Sequence, residues 1–205
     1  MKRRLLTTIL LLLSLCSALR AQSCAVNGHD YVDLGLPSGV LWATCNVGAD
    51  APEEFGNYYS WGECRRKIIY DVDSYNTACR DIDKSISGNK KYDVARRRWG
   101  APWCIPTKSD FEELDSLCNW EWTAVKGIKG YKVTGSNGNS IFLPAAGGCV
   151  NDSVYAAGVE GNYWSATPDS LDTNLSHFFY LNSNYVIMYC YYKIVGLTVR
   201  PVIKQ

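Results

Sequence analysis

Short apolar segments separated by turn residues recur along this chain, and the clearest pair constrains the fold most. Residues 130–134 and 140–144 are rich in aromatic and aliphatic side chains, and Asn137-Gly138 lies between them. Asn and Gly adopt the positive φ angles of a tight hairpin at low cost. We therefore predict an antiparallel hairpin here, which favours a fold built on a sheet.

The same alternation predicts further strands on either side of this hairpin. Two short strands are expected around the turn Pro37-Ser38-Gly39. Later strands are predicted at residues 163–166, 177–181, 185–192 and 197–202.

Two helices interrupt the strand pattern. The first is predicted over residues 92–99, which have arginines near their end and Gly100 just beyond it. The second is predicted over residues 109–118, with Ser109 and Glu112 spaced as a capping box. From pattern alone we expect one α+β domain with helices early and an antiparallel sheet late.

The N-terminus has the three parts of a secretory signal peptide. Lys2, Arg3 and Arg4 precede an apolar segment at residues 5–19, and Ala21 ends the run. We predict cleavage after Ala21, so that residues 1–21 are the signal peptide and residues 22–205 form a single domain. An apolar stretch of about 15 residues is short of the roughly 20 needed to span a bilayer, so no integral span is expected.

Export predicts a protein that is secreted or held on the outer cell surface. Lipidation at Cys24 would hold it there, but Ala21-Gln22-Ser23 is only a loose match to the residues that precede a lipidated cysteine. We therefore expect no lipid anchor.

The charge of the mature chain disfavours nucleic acid as a partner. Of 21 Lys and Arg, the four at positions 2, 3, 4 and 20 leave with the signal, so 17 basic residues face 20 acidic ones and the net charge is −3. Binding of phosphate backbones requires a net basic face. The local basic cluster at positions 90, 91, 96, 97 and 98 is expected to be a solvated surface rather than a phosphate site.

The cysteine count suggests disulfides but not their pairing. Eight cysteines remain after cleavage, an even number in an oxidising compartment. The nearest two are about 14 positions apart, which is unlike the close pairs of structural zinc sites. The acidic pairs Asp71, Asp73 and Asp81, Asp83 do not continue as a calcium loop. We therefore expect no metal and no cofactor.

Little in the sequence points to catalysis. His29 and His177 are the only histidines, and the chain has no Gly-x-Ser-x-Gly nucleophile motif. An isolated histidine is more often a structural residue, so we predict that the protein is not an enzyme.

Six sequence blocks occur in order along the mature chain: YVDLGLPSGVLWATCNVGA, YYSWGE, WGAPWCIPTKSDFEEL, GYKVTGSNGNSIFLPAAG, GNYWSAT and GLTVRPV. Together they resemble the Fibrobacter succinogenes major paralogous domain family of secreted bacterial proteins. More distantly, Ile105-Pro106-Thr107 before an acidic helix and the terminal VRPV are similar to the formylglycine-generating-enzyme branch of the C-type lectin fold. The resemblance implies a C-type-lectin-like α+β domain with two short helices and a mainly antiparallel sheet with late β-hairpins.

The resemblance also bears on individual residues. Cys45 and Cys118 look like family cysteines, which implies a disulfide between them. Cys190 faintly resembles one of the two cysteines of the copper-dependent oxidation, but the position five residues earlier is Tyr185, so that chemistry is disfavoured. The Glu-Pro-Asn and Trp-Asn-Asp motifs of calcium-dependent sugar binding do not occur in the sequence.

The late strands are the predicted binding surface of a non-catalytic protein that recognises a protein or glycan ligand. Tyr supplies rigid contact area, and Ser and Asn supply adaptable hydrogen bonds. The predicted ligand-binding residues are Asn182, Ser183, Asn184, Tyr185, Tyr189 and Tyr191.

Alternation along a strand predicts two faces here. Tyr185, Ile187, Tyr189 and Tyr191 would share the outer face, and Val186, Met188, Cys190 and Tyr192 the face toward the core. Two alternatives stay open: a structural subunit or spacer of a bacterial surface assembly, and a protein whose late strands are diversified by a retroelement.

Overall fold

The computed structural model describes residues 24–204, and the predicted signal peptide with its cleavage site lies outside these residues. The strands are β1 Cys24–Val26, β2 His29–Asp33, β3 Leu41–Ala43, β4 Trp103–Cys104, β5 Asn119–Val125, β6 Ile128–Thr134, β7 Ser140–Pro144, β8 Gly148–Val150, β9 Ser153–Tyr155, β10 Gly161–Pro168, β11 Leu175–Leu181, β12 Val186–Tyr192 and β13 Val202–Ile203. The helices are α1 Thr77–Arg80, α2 Val94–Trp99 and α3 Lys108–Leu117.

These strands form mostly antiparallel sheets that join the two ends of the described chain. One sheet has the order β1-β2-β3-β13-β4, so the last strand pairs with both β3 and β4. The others have the orders β5-β6-β7, β10-β11-β12 and β8-β9. The class is therefore a β-rich α+β domain with few helices, as predicted.

The predicted hairpin is present as β6 and β7, with Thr134 opposite Ser140. Its five-residue loop contains Gly138 at φ 84°, a conformation that favours glycine. The strands around Pro37-Ser38-Gly39 are also confirmed as β2 and β3.

Two aromatic-rich core clusters lie on opposite faces of the β10-β11-β12 sheet. The first includes Trp164 and Phe178, and the second includes Phe179 with Phe111 of α3. Because Phe178 and Phe179 are neighbours on one strand, their side chains point to opposite faces, and each seals a different cluster.

A fully buried arginine connects separate parts of the domain. Arg200 donates to Asn46 Oδ1 at 2.8 Å and to the carbonyls of Ala43, Thr44 and Phe142 at 3.1, 2.8 and 2.9 Å. Burying a charge is costly unless its donors are satisfied, and here each guanidinium nitrogen has an acceptor. The residue therefore ties β3 to β7.

The helices fall close to their predicted positions, with one correction. Asp93 accepts from the backbone of Arg96 and caps α2, and Gly100 ends it. In α3 the capping residues are Thr107 and Asp110, not Ser109 and Glu112: the Asp110 carboxylate accepts from the Thr107 backbone N–H at 2.6 Å. With Thr107 as the cap, the helix begins at Lys108, one residue before the predicted start.

Three further expectations need correction. Residues 77–80 form a short helix that the polar sequence around it did not predict. The helices lie in the middle of the chain because β1 to β3 come first. Within the predicted strand at 197–202 only Val202 joins a strand, since Leu197 and Thr198 form isolated bridges to Tyr59 and Tyr163.

Candidate functional site

The β11–β12 hairpin places a row of side chains at the outer edge of its sheet. In the described residues β12 is the terminal strand of the order β10-β11-β12. Tyr185, Ile187 and Tyr189 are 48%, 37% and 47% exposed. We call these three residues together with the turn 182–184 the tyrosine edge.

The turn is held by one of its own side chains. Asn182 Oδ1 accepts from the backbone N–H groups of Asn184 at 2.8 Å and Tyr185 at 3.1 Å. The Asn182 amide donates to the hydroxyl of Tyr180 at 3.0 Å. Ser183 and Asn184 are exposed. The sequence-predicted turn is thus fixed in place while two of its three side chains face solvent.

Aromatic neighbours support the exposed rings from behind. The Tyr180 ring lies 5.7 Å from Tyr185 and 6.1 Å from Tyr189, and Phe178 lies 6.3 Å from Tyr189. Such ring pairs stabilise one another and reduce the rotamer freedom that a ligand would otherwise have to remove. The edge is accordingly preorganised.

The last two tyrosines of β12 differ from expectation. Tyr191 is half-buried and packs against the first core cluster, with its ring 5.7 Å from Phe178. Tyr192, predicted to face the core, is 55% exposed. It is the last residue of the strand and lies opposite Leu175, the first residue of β11, beyond the part of the face that packs on α3.

The opposite face of the same hairpin brings together three chemically distinct side chains. Asp169 Oδ2 and His177 Nδ1 each lie 3.2 Å from the Sγ of Cys190. All three residues are half-buried. Burial raises the pKa of the Cys190 thiol to about 11, with a further contribution from Asp169. The thiol is therefore protonated at neutral pH and is not an activated nucleophile.

The other two members of this cluster have shifted pKa values as well. Burial, followed by the charge of Lys108, lowers the pKa of His177. Backbone hydrogen bonds from Asp172 and Leu171 lower the pKa of Asp169. At neutral pH the cluster thus contains a carboxylate, a neutral imidazole and a thiol.

Cationic side chains line a cleft elsewhere on the protein. A cleft of about 740 Å³ lies between the segment 62–67 and the segment 90–97. Its basic lining residues are Arg65, Arg66, Lys67, Lys90, Lys91 and Arg97. Its one carboxylate is that of Glu63, which pairs with Lys67 at 2.9 Å. We call this the basic cleft; it suits an anionic ligand.

The sequence pointed to only half of that cleft. It marked positions 90, 91 and 97 as basic but gave no reason to place them beside 65–67. Of the five clustered positions, Arg96 and Arg98 are absent from the lining.

The structure does not support the expected cysteine pairing. All eight described cysteines are free thiols, so the Cys45–Cys118 disulfide is absent from the structure. Cys118 packs at the end of α3 against the second core cluster, whereas Cys45 lies beside the Thr44 hydroxyl at 3.5 Å. The two side chains therefore lie in different local environments.

The other histidine has a packing role. The ring of His29 stacks on Trp99 with centroids 3.7 Å apart, and burial lowers its pKa.

Lys193 is buried. It donates to the carbonyls of Arg80 and Ile82 and lies over the ring of Trp61. These contacts hold α1 against the core.

No family model, curated protein or solved structure matches this chain. Among residues 24–204, no helix has the length and apolar character needed to cross a membrane.

Proposed function

We propose that the protein is an exported, non-catalytic binding domain that recognises a protein or glycan ligand through the tyrosine edge. The observation that carries this is the simultaneous exposure of Tyr185, which directly precedes the terminal strand β12, and of Ile187 and Tyr189 on that strand, next to a turn that is internally hydrogen-bonded. Exposed aromatic groups on a rigid support are typical of recognition surfaces.

We also propose that the domain belongs with the major paralogous domain proteins and has their C-type-lectin-like fold. The six ordered sequence blocks support this assignment. The antiparallel pairing of β13 with β3, which brings the C-terminal strand back to the N-terminal sheet, is in keeping with the terminal VRPV strand of that resemblance.

The ligand can be sought with glycan and protein arrays probed with residues 22–205. The matched proteins are the wild type, the double variant Tyr185→Ala/Tyr189→Ala and the single variant Tyr192→Ala. Tyr192 is as exposed as the others but lies on the other face of β12, so it controls for the general loss of a surface ring.

The proposal expects array signals that survive in the Tyr192 variant and fall at least about 10-fold in the double variant, given that central aromatic contacts contribute 1–2 kcal/mol or more each. Thermal melts of all three proteins check folding. Equal signals from the double variant and the wild type would exclude the tyrosine edge. Absence of any ligand together with self-association that requires Tyr185 and Tyr189 would instead favour a structural subunit.

The basic cleft supports a second candidate function, the binding of an anionic glycan. Six cationic side chains surround it, and only Lys67 has an ion-pair partner among the described residues. Retention on a sulfated polysaccharide, lost by about 0.5 M salt because the charges are exposed, would support it. The variant Arg65→Glu/Arg66→Glu should abolish retention, and Arg98→Glu, outside the cleft, should not.

A further inference from the structure

Asp169, His177 and Cys190 converge from three separate parts of the chain. His177 of β11 and Cys190 of β12 are directly opposite each other across the hairpin, and Asp169 directly follows β10. One ligand-type atom from each residue lies within 4.8 Å of the others. The register of the sheet therefore fixes a carboxylate, an imidazole and a thiol around one point.

Two hydrogen bonds to one oxygen of the Asp169 carboxylate orient it, and its other oxygen faces Cys190. Its Oδ1 accepts from the backbone N–H groups of Leu171 and Asp172, both at 2.8 Å. Oδ2 is the atom that faces the Cys190 thiol at 3.2 Å. Such second contacts to a ligand side chain are characteristic of metal sites, where they hold the ligand in its binding orientation.

We propose that Asp169, His177 and Cys190 form a binding site for a divalent cation with the preferences of Zn²⁺. Sulfur, nitrogen and oxygen ligands bind zinc at about 2.0–2.3 Å in tetrahedral geometry, which places neighbouring ligand atoms about 3.3–3.8 Å apart. The two distances to the Cys190 sulfur, both 3.2 Å, lie close to this range, and all three ligand atoms lie within 4.8 Å of one another. A thiol excludes Mg²⁺ and Ca²⁺ as preferred occupants.

Three protein ligands leave the fourth position of a tetrahedral ion for water or for a ligand atom. The site lies on the α3 side of the hairpin, whereas the tyrosine edge lies on the other side, so the two sites are independent. Binding would also fix the 169–174 loop to the sheet, because the ion joins Asp169 to both strands of the hairpin.

Metal binding must remove one proton. The Cys190 thiol is neutral before binding, so the cation displaces its proton to solvent as the metal–thiolate bond forms. The facing charges on α3 are Lys108, which opposes a cation, and Glu112, which pairs with Lys108 at 3.6 Å. Affinity should therefore rise with pH, because the thiol gives up its proton on binding.

The site is tested by titrating metal-free residues 22–205 with ZnCl₂ in a calorimeter, and with CoCl₂ in an absorption spectrometer. We expect one cation per chain, proton release of about one in buffers of different ionisation enthalpy, and a thiolate-to-cobalt charge-transfer band. Cys190→Ser should abolish the band and weaken Zn²⁺ binding at least about 10-fold. Cys118→Ser, which removes a half-buried thiol elsewhere, should change neither.

Asp169→Asn provides a second variant that preserves side-chain shape. It should weaken binding, and zinc should therefore raise the thermal midpoint of the wild type more than that of this variant. Cobalt spectra without a thiolate band, or equal affinities in the wild type and both cluster variants, would overturn the proposal. So would equal loss of binding in Cys118→Ser, because it would assign the ion to the free thiols in general.

Discussion

The two faces of β12 use the same backbone for opposite purposes. On one face, Tyr185, Ile187 and Tyr189 remain exposed above a layer of supporting rings; on the other, Val186 and Met188 pack against the second core cluster. Adjacent residues of one strand therefore differ in what their loss should affect. The outer face should influence ligand affinity, and the inner face should influence stability.

The largest expected effect concerns the inner face. Phe179 pairs with Met188 across the hairpin, is fully buried and stacks on Phe111 of α3 at 4.8 Å. Phe179→Ala should lower the free energy of unfolding by about 3–5 kcal/mol, since it removes buried contacts and leaves a cavity. Urea denaturation measures this. A loss under about 1 kcal/mol would mean that the sheet and α3 are not packed as described.

The turn at residues 182–184 joins β11 to β12, and a change there should have an intermediate effect on stability. Asn182→Ala removes two bonds to backbone N–H groups and the bond to Tyr180. We expect a loss of about 0.5–1.5 kcal/mol in unfolding free energy. Asn184→Ala is the matched control, because Asn184 is exposed on the same turn. Equal denaturation midpoints for the two variants would refute the anchoring role of Asn182.

Acid should act through the histidines rather than through the tyrosine edge. The pKa values of His29 and His177 are lowered in the folded protein, so the unfolded chain binds more protons below about pH 6.5. Stability should consequently fall as pH decreases from 6.5 toward 5, and His177→Gln should make the fall shallower. Thermal midpoints of the wild type and of His177→Gln across this range test the sign; a fall that is equal or steeper in His177→Gln would contradict it.

The smallest change in stability is expected on the outer face. Tyr189 is half-exposed, so Tyr189→Ala should change the unfolding free energy by less than about 1 kcal/mol. The same urea experiment compares it with Phe179→Ala. A cost as large as that of Phe179→Ala would show that Tyr189 belongs to the core and would remove the contrast between the faces.

Local patterns in the sequence were sufficient for much of this hairpin. Strict alternation correctly assigned Tyr185, Ile187 and Tyr189 to one face and Val186 and Met188 to the other, because a strand has a period of two. Tyr192 was assigned to the core wrongly, since alternation gives the direction of a side chain but not where the packed helix ends.

The cluster of Asp169, His177 and Cys190 could not be predicted from the spacing of residues in the sequence. Asp169, His177 and Cys190 are 8 and 13 positions apart, and only the strand register brings them together. Register depends on which long-range pairing buries the most apolar surface. The basic cleft could not be predicted for the same reason. The segments 62–67 and 90–97 are distant in sequence, and only the fold brings them together. Whether the outer tyrosines bind a ligand stays a prediction.

Oxidative footprinting of the tyrosines, read by mass spectrometry with and without the ligand found on the arrays, tests the central claim most directly. Tyr185, Tyr189 and Tyr192 have similar exposure, so their rings should be oxidised at comparable rates in the free protein. We predict that the ligand protects Tyr185 and Tyr189 and leaves Tyr192 unchanged. Protection of Tyr192 alone, or no protection at Tyr185 and Tyr189 under saturating ligand, would contradict recognition by the tyrosine edge.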